Sequence, residues 1–235
     1  MSKAANEAAG RIGRIALITG IILLFLAAFV TSVTYKAPAS DQVWDMRTTV
    51  GSADAKKHYV MYTDLMCPYC DVFSRAVMEY QEEFEQFLAD NDILFEIRLT
   101  DMLYYGSGSE MSQNAAEATY CAIHEDKFWE YYHGALMALY NDYHSKGIGS
   151  SKTATPIKNM PEDYWLKIGL EAGLGDEFKN CVENGETAEE VEEITMKASQ
   201  FAEGMPTFVF ENFKTSGFSD TWGWEEAKEF LEAGV

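Results

Sequence analysis

An α/β fold, with a mixed central sheet covered by helices on both faces and carrying a helical insertion, is predicted by three features of this sequence. A β-rich stretch runs straight into an amphipathic helix and then a second strand, all within about forty residues. A long helical region interrupts that alternation, and the chain closes with a short apolar hairpin and a last helix.

Ahead of these elements lies Ile15 to Val33, "IALITGIILLFLAAFVTSV", nineteen residues without a charge and long enough to cross a bilayer as a helix. Lys3, Arg11 and Arg14 precede it and only Lys36 follows closely. The positive-inside tendency therefore puts residues 1–14 in the cytoplasm and everything after the span outside. A cleaved signal peptide is the rival. Ala37-Pro38-Ala39 offers a small-residue pattern for a peptidase, but the apolar run is longer than the roughly 7 to 15 residues of a signal h-region. The expectation is an uncleaved single-pass signal-anchor at 15–33, a linker at 34–44 and an extracytoplasmic domain at 45–235.

The formal charge is −20 for the chain and about −23 for the exported part. That excludes binding nucleic acid or anionic lipid through the body of the domain, and fits a well-solvated acidic surface.

The first strand is "HYVMYTDL" at 58–65, where β-branched and aromatic residues lead into Cys67. Phe73, Val77, Tyr80, Phe84, Phe87 and Leu88 then recur every three or four residues, which predicts one helix from Pro68 to Ala89 with an acidic outer face. "ILFEIRL" at 93–99 is the next strand, so the three elements form a parallel βαβ unit. The insertion occupies about 106–203, and its strongest helical pattern is "AEATYCAIHEDKFWEYYHGALMALY". The aromatic residues of that helix, Phe128, Trp129, Tyr131 and Tyr132, have the spacing of a core face. "SKGIGSSKTATP" (145–156) lacks the G-K-[ST] ending and the preceding strand of a phosphate loop, and reads as a connection. Thr187 and Glu190 have capping-box spacing for a last insertion helix, whose Val191, Ile194, Ala198 and Phe201 share one face. "GMPTFVFENFKTSGFSD" (204–220) makes two short strands around a turn, followed by a helix over 222–233.

All four cysteines, Cys67, Cys70, Cys121 and Cys181, fall in the exported part, where disulfides persist, and their even number fits two bridges. Cys67 and Cys70 in "DLMCPYCDVF" stand at the junction of strand and helix. A zinc site would need a second close pair, and Cys121 and Cys181 are sixty positions apart. The scattered His58, His124, His133 and His144 supply no metal-ligand grouping either, so no metal or other cofactor is expected.

The CxxC pair between strand and helix, the helical insertion, and Met205-Pro206-Thr207 ahead of the hairpin resemble the thioredoxin-like disulfide oxidoreductases of the DsbA type. The likeness covers roughly residues 45–233, and "YTDLMCPYC" and "KFWEYYHGAL" are similar to membrane-anchored bacterial members. It implies a domain in the bacterial periplasm or on the cell-envelope side. It also implies a cis peptide before Pro206, facing the cysteines, with Met205 and Thr207 as substrate-contact positions. Cys121 and Cys181 match positions that carry a second, structural disulfide in some members; a redox relay pair is the alternative.

Position supplies the chemistry. A thiolate at Cys67 would sit at a helix N-terminus, where unpaired N–H groups and the helix dipole stabilise it. Cys67 is then the nucleophile, Cys70 the resolving thiol, and Pro68 suits the first helical turn. The middle residues, Pro68 and Tyr69, match the pair common in glutaredoxins and lack the imidazolium of the strongly oxidising Pro-His. Asp64 and Asp71 flank the motif, and their charges should raise the Cys67 pKa. Six positions before Cys67, where thioredoxins hold a buried acid, this chain has Met61; Asp64 is the nearest replacement as proton handler, with a surface aspartate the alternative.

The resulting expectation is an extracytoplasmic dithiol oxidase of cysteine-containing secreted polypeptides, reoxidised, as the resemblance implies, by a quinone-linked thiol oxidase in the membrane. A thiol reductase or disulfide isomerase is the nearest alternative. A membrane-tethered chaperone or binding module with inert cysteines, and a metal-binding domain, are the others. The charge pattern around Cys67 predicts a reduction potential on the order of −230 to −150 mV. Titration in glutathione buffers measures it: a value near roughly −180 mV marks a disulfide donor, and one near roughly −270 mV a thioredoxin-like reductant.

Overall fold

A computed structural model of the protein describes residues 45–103, 110–152, 155–158, 160–211, 214–219 and 221–234. The expected cytoplasmic N-terminus, membrane span and linker, residues 1–44, lie outside the described residues. Among the described residues no helix is long and apolar enough to cross a membrane.

Five strands, β1 (Thr49–Gly51), β2 (Lys57–Thr63), β3 (Ile93–Leu99), β4 (Thr207–Val209) and β5 (Lys214–Ser216), form one mixed sheet in the order β1-β3-β2-β4-β5. The β2–β3 pair is parallel, with Tyr59 opposite Phe95 and Thr63 opposite Leu99, and the other pairs are antiparallel. The predicted strands and hairpin are therefore present, and β1 adds an antiparallel edge that the sequence did not announce. β1 ends at Gly51 with φ +111°, and a Cβ there would meet the Ile93 carbonyl at 2.5 Å, so only glycine fits. Every residue of β3 is buried. Burial on both faces explains why β2 and β3 read as nearly continuous apolar runs. On one face Tyr59 and Met61 enter the main core; on the other Val60 and Tyr62 pack with Ala198. Arg98 is buried in β3, bonds Glu96 through Nε at 2.8 Å and donates to the Tyr62 hydroxyl at 3.0 Å. Pairing of this kind is what permits a charge inside a fold.

The single helix expected over 68–89 is two, α1 (Pro68–Glu79) and α2 (Gln81–Asn91). They meet at Tyr80, whose φ of −120° and ψ of 44° leave the helical region. No glycine or proline causes this. The Tyr80 ring instead stacks on Trp224 of the last helix, with centroids 6.2 Å apart and 11° between the planes. The apolar period continues undisturbed because the Phe84 N–H still bonds the Tyr80 carbonyl at 2.9 Å and Phe84, Phe87 and Leu88 still reach the core.

The insertion contains α3 (Met111–Cys121), α4 (Phe128–Asp142), α5 (Tyr164–Glu171), α6 (Asp176–Asn184) and α7 (Ala188–Ser199). The long helix read from its strongest pattern is broken by a 3-10 turn at Ala122–Glu125 and by Asp126 at φ 54°. The break frees the Glu125 carboxylate to accept the N–H groups of Gly175 at 2.9 Å and Phe178 at 3.0 Å, capping α6. Phe128, Tyr131 and Tyr132 are core residues, with Trp129 packed against them. The capping box expected at Thr187 is not formed. The Thr187 hydroxyl donates to the Glu117 carbonyl at 3.0 Å, tying α7 to α3. α8 (Trp224–Glu232) closes the fold, its Ala227 and Leu231 buried.

Cys121 and Cys181 form a disulfide with Cα atoms 5.6 Å apart, joining the end of α3 to α6. Replacing both with alanine should lower stability by about 3 to 4 kcal/mol, because the bridge closes a 60-residue loop in the unfolded chain. Urea denaturation of the double variant checks this, and mass spectrometry after mild reduction should find this bridge intact once Cys67 and Cys70 are fully reduced.

Candidate active site

α1 begins where β2 ends, and Cys67 occupies the N-cap with extended backbone, φ −83° and ψ 119°. Its carbonyl accepts the Asp71 N–H at 3.1 Å as the first helical bond. Pro68 takes the first helical position, where its missing N–H costs nothing. Cys67 and Cys70 are both free thiols, 3% and 1% exposed, while Tyr69 between them is 39% exposed. The Met205–Pro206 peptide is cis, and the Cys67 thiol donates to the Met205 carbonyl at 3.4 Å. The cysteine pair and the Pro206 loop, 138 residues apart in sequence, thus face each other as expected.

The two sulfurs differ electrostatically. The Cys67 pKa is pulled down by a hydrogen bond from the Cys70 thiol and by the Cys70 and Tyr69 N–H groups, against the opposing pull of burial and the Asp64 charge. Burial, together with the Cys67 partnership, pushes Cys70 well above an ordinary thiol. Of the two thiols, Cys67 is therefore the one that gives up its proton first, while Cys70 keeps its own. The upward shift expected for Cys67 from its flanking carboxylates is corrected, since donors at the helix start outweigh them.

Asp64 is not a surface aspartate. It is fully buried, with Oδ1 accepting the Met66 N–H at 2.8 Å and the Ser112 hydroxyl at 2.9 Å, and Oδ2 accepting the Leu103 N–H at 2.8 Å. Burial raises its pKa to about 6 despite these bonds. Asp71, also expected to bear on Cys67, is held by both carboxylate oxygens at 3.0 Å from Arg75 Nε, and its Oδ2 lies 3.3 Å from His144 Nδ1. Its charge is answered there. Of the two flanking acids, Asp64 is the one that acts on Cys67.

Met61 packs into the core opposite Phe208. Met205 is half-buried beside Cys67, and its sulfur accepts the Thr100 hydroxyl at 3.9 Å. Thr207, expected as a substrate-contact position, is fully buried, and its hydroxyl bonds the Gly204 carbonyl at 2.6 Å and the Ser216 hydroxyl at 2.5 Å. Pro206 is buried as well. Sequence reasoning missed Arg75, although its spacing four residues after Asp71 on a helix was a legible signal. It also missed Ser112 and His144, which carry none. The one potential metal grouping among the described residues, His124, Cys181 and Glu186, includes a sulfur already engaged in the disulfide.

Residues 45–233 match the family model described as Thioredoxin. A comparison with curated proteins finds no match. Similar solved structures include oxidised BdbD from Bacillus subtilis, 20% identical with a TM-score of 0.57, covering 80% of this chain and 91% of that one. A thioredoxin-like oxidoreductase from Silicibacter pomeroyi DSS-3 is 21% identical with a TM-score of 0.55, covering 80% and 92%. MdbA, a thiol-disulfide oxidoreductase from Corynebacterium diphtheriae, is 14% identical with a TM-score of 0.56, covering 86% and 96%. At these identities the likeness shows the fold.

Because Asp64 binds its proton more tightly folded, at about 6, than at the ordinary 3.8, its contribution to stability falls as pH rises between those values. The loss reaches about 3 kcal/mol at neutral pH, and Asp64→Asn should abolish that part of the stability–pH slope. The same variant should lower the pH at which Cys67 becomes reactive, read from the pH dependence of iodoacetamide alkylation.

Proposed function

Since this chain belongs to the thioredoxin family, we propose that it is a thiol–disulfide oxidoreductase of the DsbA type, working through Cys67 and Cys70 as a dithiol oxidase of secreted or membrane proteins. The observation that carries this reading is the division of labour at the helix start: a Cys67 sulfur with lowered pKa facing the cis-Pro206 loop, and a protonated Cys70 behind it.

In the oxidised enzyme a substrate thiolate attacks Cys67 Sγ. The Cys67–Cys70 bond breaks, Cys70 leaves with the electron pair and takes a proton, and a mixed disulfide remains on Cys67. A second substrate thiolate attacks the substrate sulfur of that mixed disulfide. Cys67 then leaves as a thiolate, stabilised by the N–H groups at the start of α1. The product gains a disulfide and the enzyme holds two electrons as a dithiol. Asp64, buried beside Cys67 and titrating at about 6, serves as the proton handler of this step. Met205 supplies backbone and sulfur surface to the bound polypeptide next to Cys67.

The uncharged run at 15–33 tethers this domain to the outer side of the cell membrane as a signal-anchor. A quinone-linked membrane thiol oxidase returns Cys67 and Cys70 to the disulfide. The reductase or isomerase reading uses the same sulfurs with electrons flowing the other way.

Alkylation trapping in cells separates these directions. A chain held mainly as the Cys67–Cys70 disulfide is the expected result, and one held mainly as the dithiol would make it a reductase or isomerase. Cys67→Ser should abolish exchange and Cys70→Ser should accumulate mixed disulfides with client proteins. Undiminished activity in Cys67→Ser would leave only a binding module.

A further inference from the structure

A cleft of about 580 Å³ follows one face of α1, from Pro68 beside Cys67 to Tyr80 at the helix end. Tyr140, His144 and Lys152 line it from the insertion, and Trp222 and Trp224 from the entry to α8. Within it the Arg75 guanidinium is fixed by two contacts. Its Nε donates to both Asp71 carboxylate oxygens at 3.0 Å, and its Cζ lies 3.9 Å from the centre of the Tyr140 ring. Asp71 is buried and also meets His144 Nδ1 at 3.3 Å. Among the described residues the two terminal nitrogens of Arg75 have no hydrogen-bond partner, and exposed Lys152 has no ion-pair partner. Glu79, the other carboxylate of the cleft, is exposed. Two further clefts have the opposite character: one between α2 and α8 is lined by five carboxylates and Lys228, and one on the insertion by four carboxylates and no cation.

We propose that this cleft is a specificity subsite for the client polypeptide, in which Arg75 and Lys152 bind the carboxylate of an aspartate or glutamate close in sequence to the reacting cysteine. The inference rests on the thiol-exchange reading above and names the class of substrate it favours. With Nε turned to Asp71 and the guanidinium face on Tyr140, the edge that carries the two terminal nitrogens is left for a carboxylate, which that edge fits with two parallel hydrogen bonds. The fork is already held in place, so less side-chain freedom is lost on binding. Asp71, paired twice, does not compete for it. Spacing sets the distance from the cysteine. Arg75 stands eight residues after Cys67, about 12 Å along a helix axis, which an extended polypeptide covers in three or four residues at roughly 3.3 Å each. The net charge of −20 does not forbid an acidic guest, because exposed charges more than about 8 to 10 Å away are largely screened in salt and the nearest cations decide.

Synthetic dithiol peptides test this on the oxidised full-length chain in detergent. One peptide thiolate attacks Cys67 Sγ, the second resolves the mixed disulfide, and two electrons pass from peptide to enzyme, leaving a peptide disulfide and the Cys67–Cys70 dithiol. One pair of peptides carries glutamate or glutamine three residues before the cysteines, and a second pair carries them three residues after. Dividing each rate by that of the same peptide with oxidised glutathione removes the effect of the glutamate on the peptide's own thiols. In one of the two placements the glutamate peptide should react about tenfold faster than its glutamine copy, the low end for hydrogen bonds to a charged group. Arg75→Gln should abolish that ratio while the glutamine peptide still reacts, and Lys152→Gln, at an exposed position that leaves Asp71 paired, should reduce it. Added salt should lower the ratio in the wild-type chain. Equal corrected rates for glutamate and glutamine in both placements, or a ratio unchanged in Arg75→Gln and Lys152→Gln, would overturn the inference and leave thiol exchange standing. A wild-type chain that oxidises none of the peptides would overturn the exchange reading, and the subsite with it.

Discussion

The junction between β2 and α1 is the constraint on which the rest of the structure depends. β2 is paired on both sides and enclosed on both faces, so its C-terminal end is fixed, and the chain turns from it into a helix at Cys67. A helix start leaves N–H groups without intrahelical partners, and a sulfur placed there meets them. The fold thereby sets the chemistry: the Cys70 thiol, and after it the N–H groups of Cys70 and Tyr69, lower the pKa of the first cysteine, while burial one turn later raises that of the second. Rigidity matters as much as charge: Cys67 follows directly on a buried central strand and lies opposite the Pro206 loop.

The helical insertion serves this junction rather than merely decorating it. Ser112 at the start of α3 and the N–H of Leu103 both bond Asp64, and Tyr132 of α4 reaches Ser74 of α1. The insertion is itself braced by the Cys121–Cys181 bridge, by Glu125 capping α6 and by Thr187 bonding back to α3. Groups from three separate stretches of sequence therefore hold the residues on either side of the cysteine pair.

What the sequence disclosed and what it withheld divide along a physical line. The βαβ unit, the hairpin, the cysteine pair at the helix start and the insertion follow from local periodicity and spacing, which a single chain displays openly. The break at Tyr80, the turn at Asp126 and the fate of Thr187 depend on partners far along the chain: Trp224, Gly175 and Glu117. Local pattern cannot report them, because the same apolar period fits one helix or two. β1 is three residues long, too short for alternation to register. The burial of Asp64 and Thr207 was hidden for a related reason. A polar residue beside a reactive site reads as exposed unless its buried donors or acceptors are known, and here they come from residues 103, 112, 204 and 216.

Asp64 and Cys67 pose the last question of balance, since two groups that each favour the other's neutral form share one buried corner. With Asp64 ionised, its charge opposes a thiolate on Cys67; with Asp64 protonated, that opposition disappears, yet the carboxyl gives up part of its acceptor strength toward Met66, Leu103 and Ser112. In the proposed exchange, the proton that leaves Cys67 would be accommodated on Asp64. A carboxyl with its pKa raised to about 6 is poised for that exchange near neutral pH, whereas an exposed aspartate would already be ionised. Burial of Asp64, which costs stability at neutral pH, is the same feature that brings its proton affinity into the range where the proposed thiol exchange would use it.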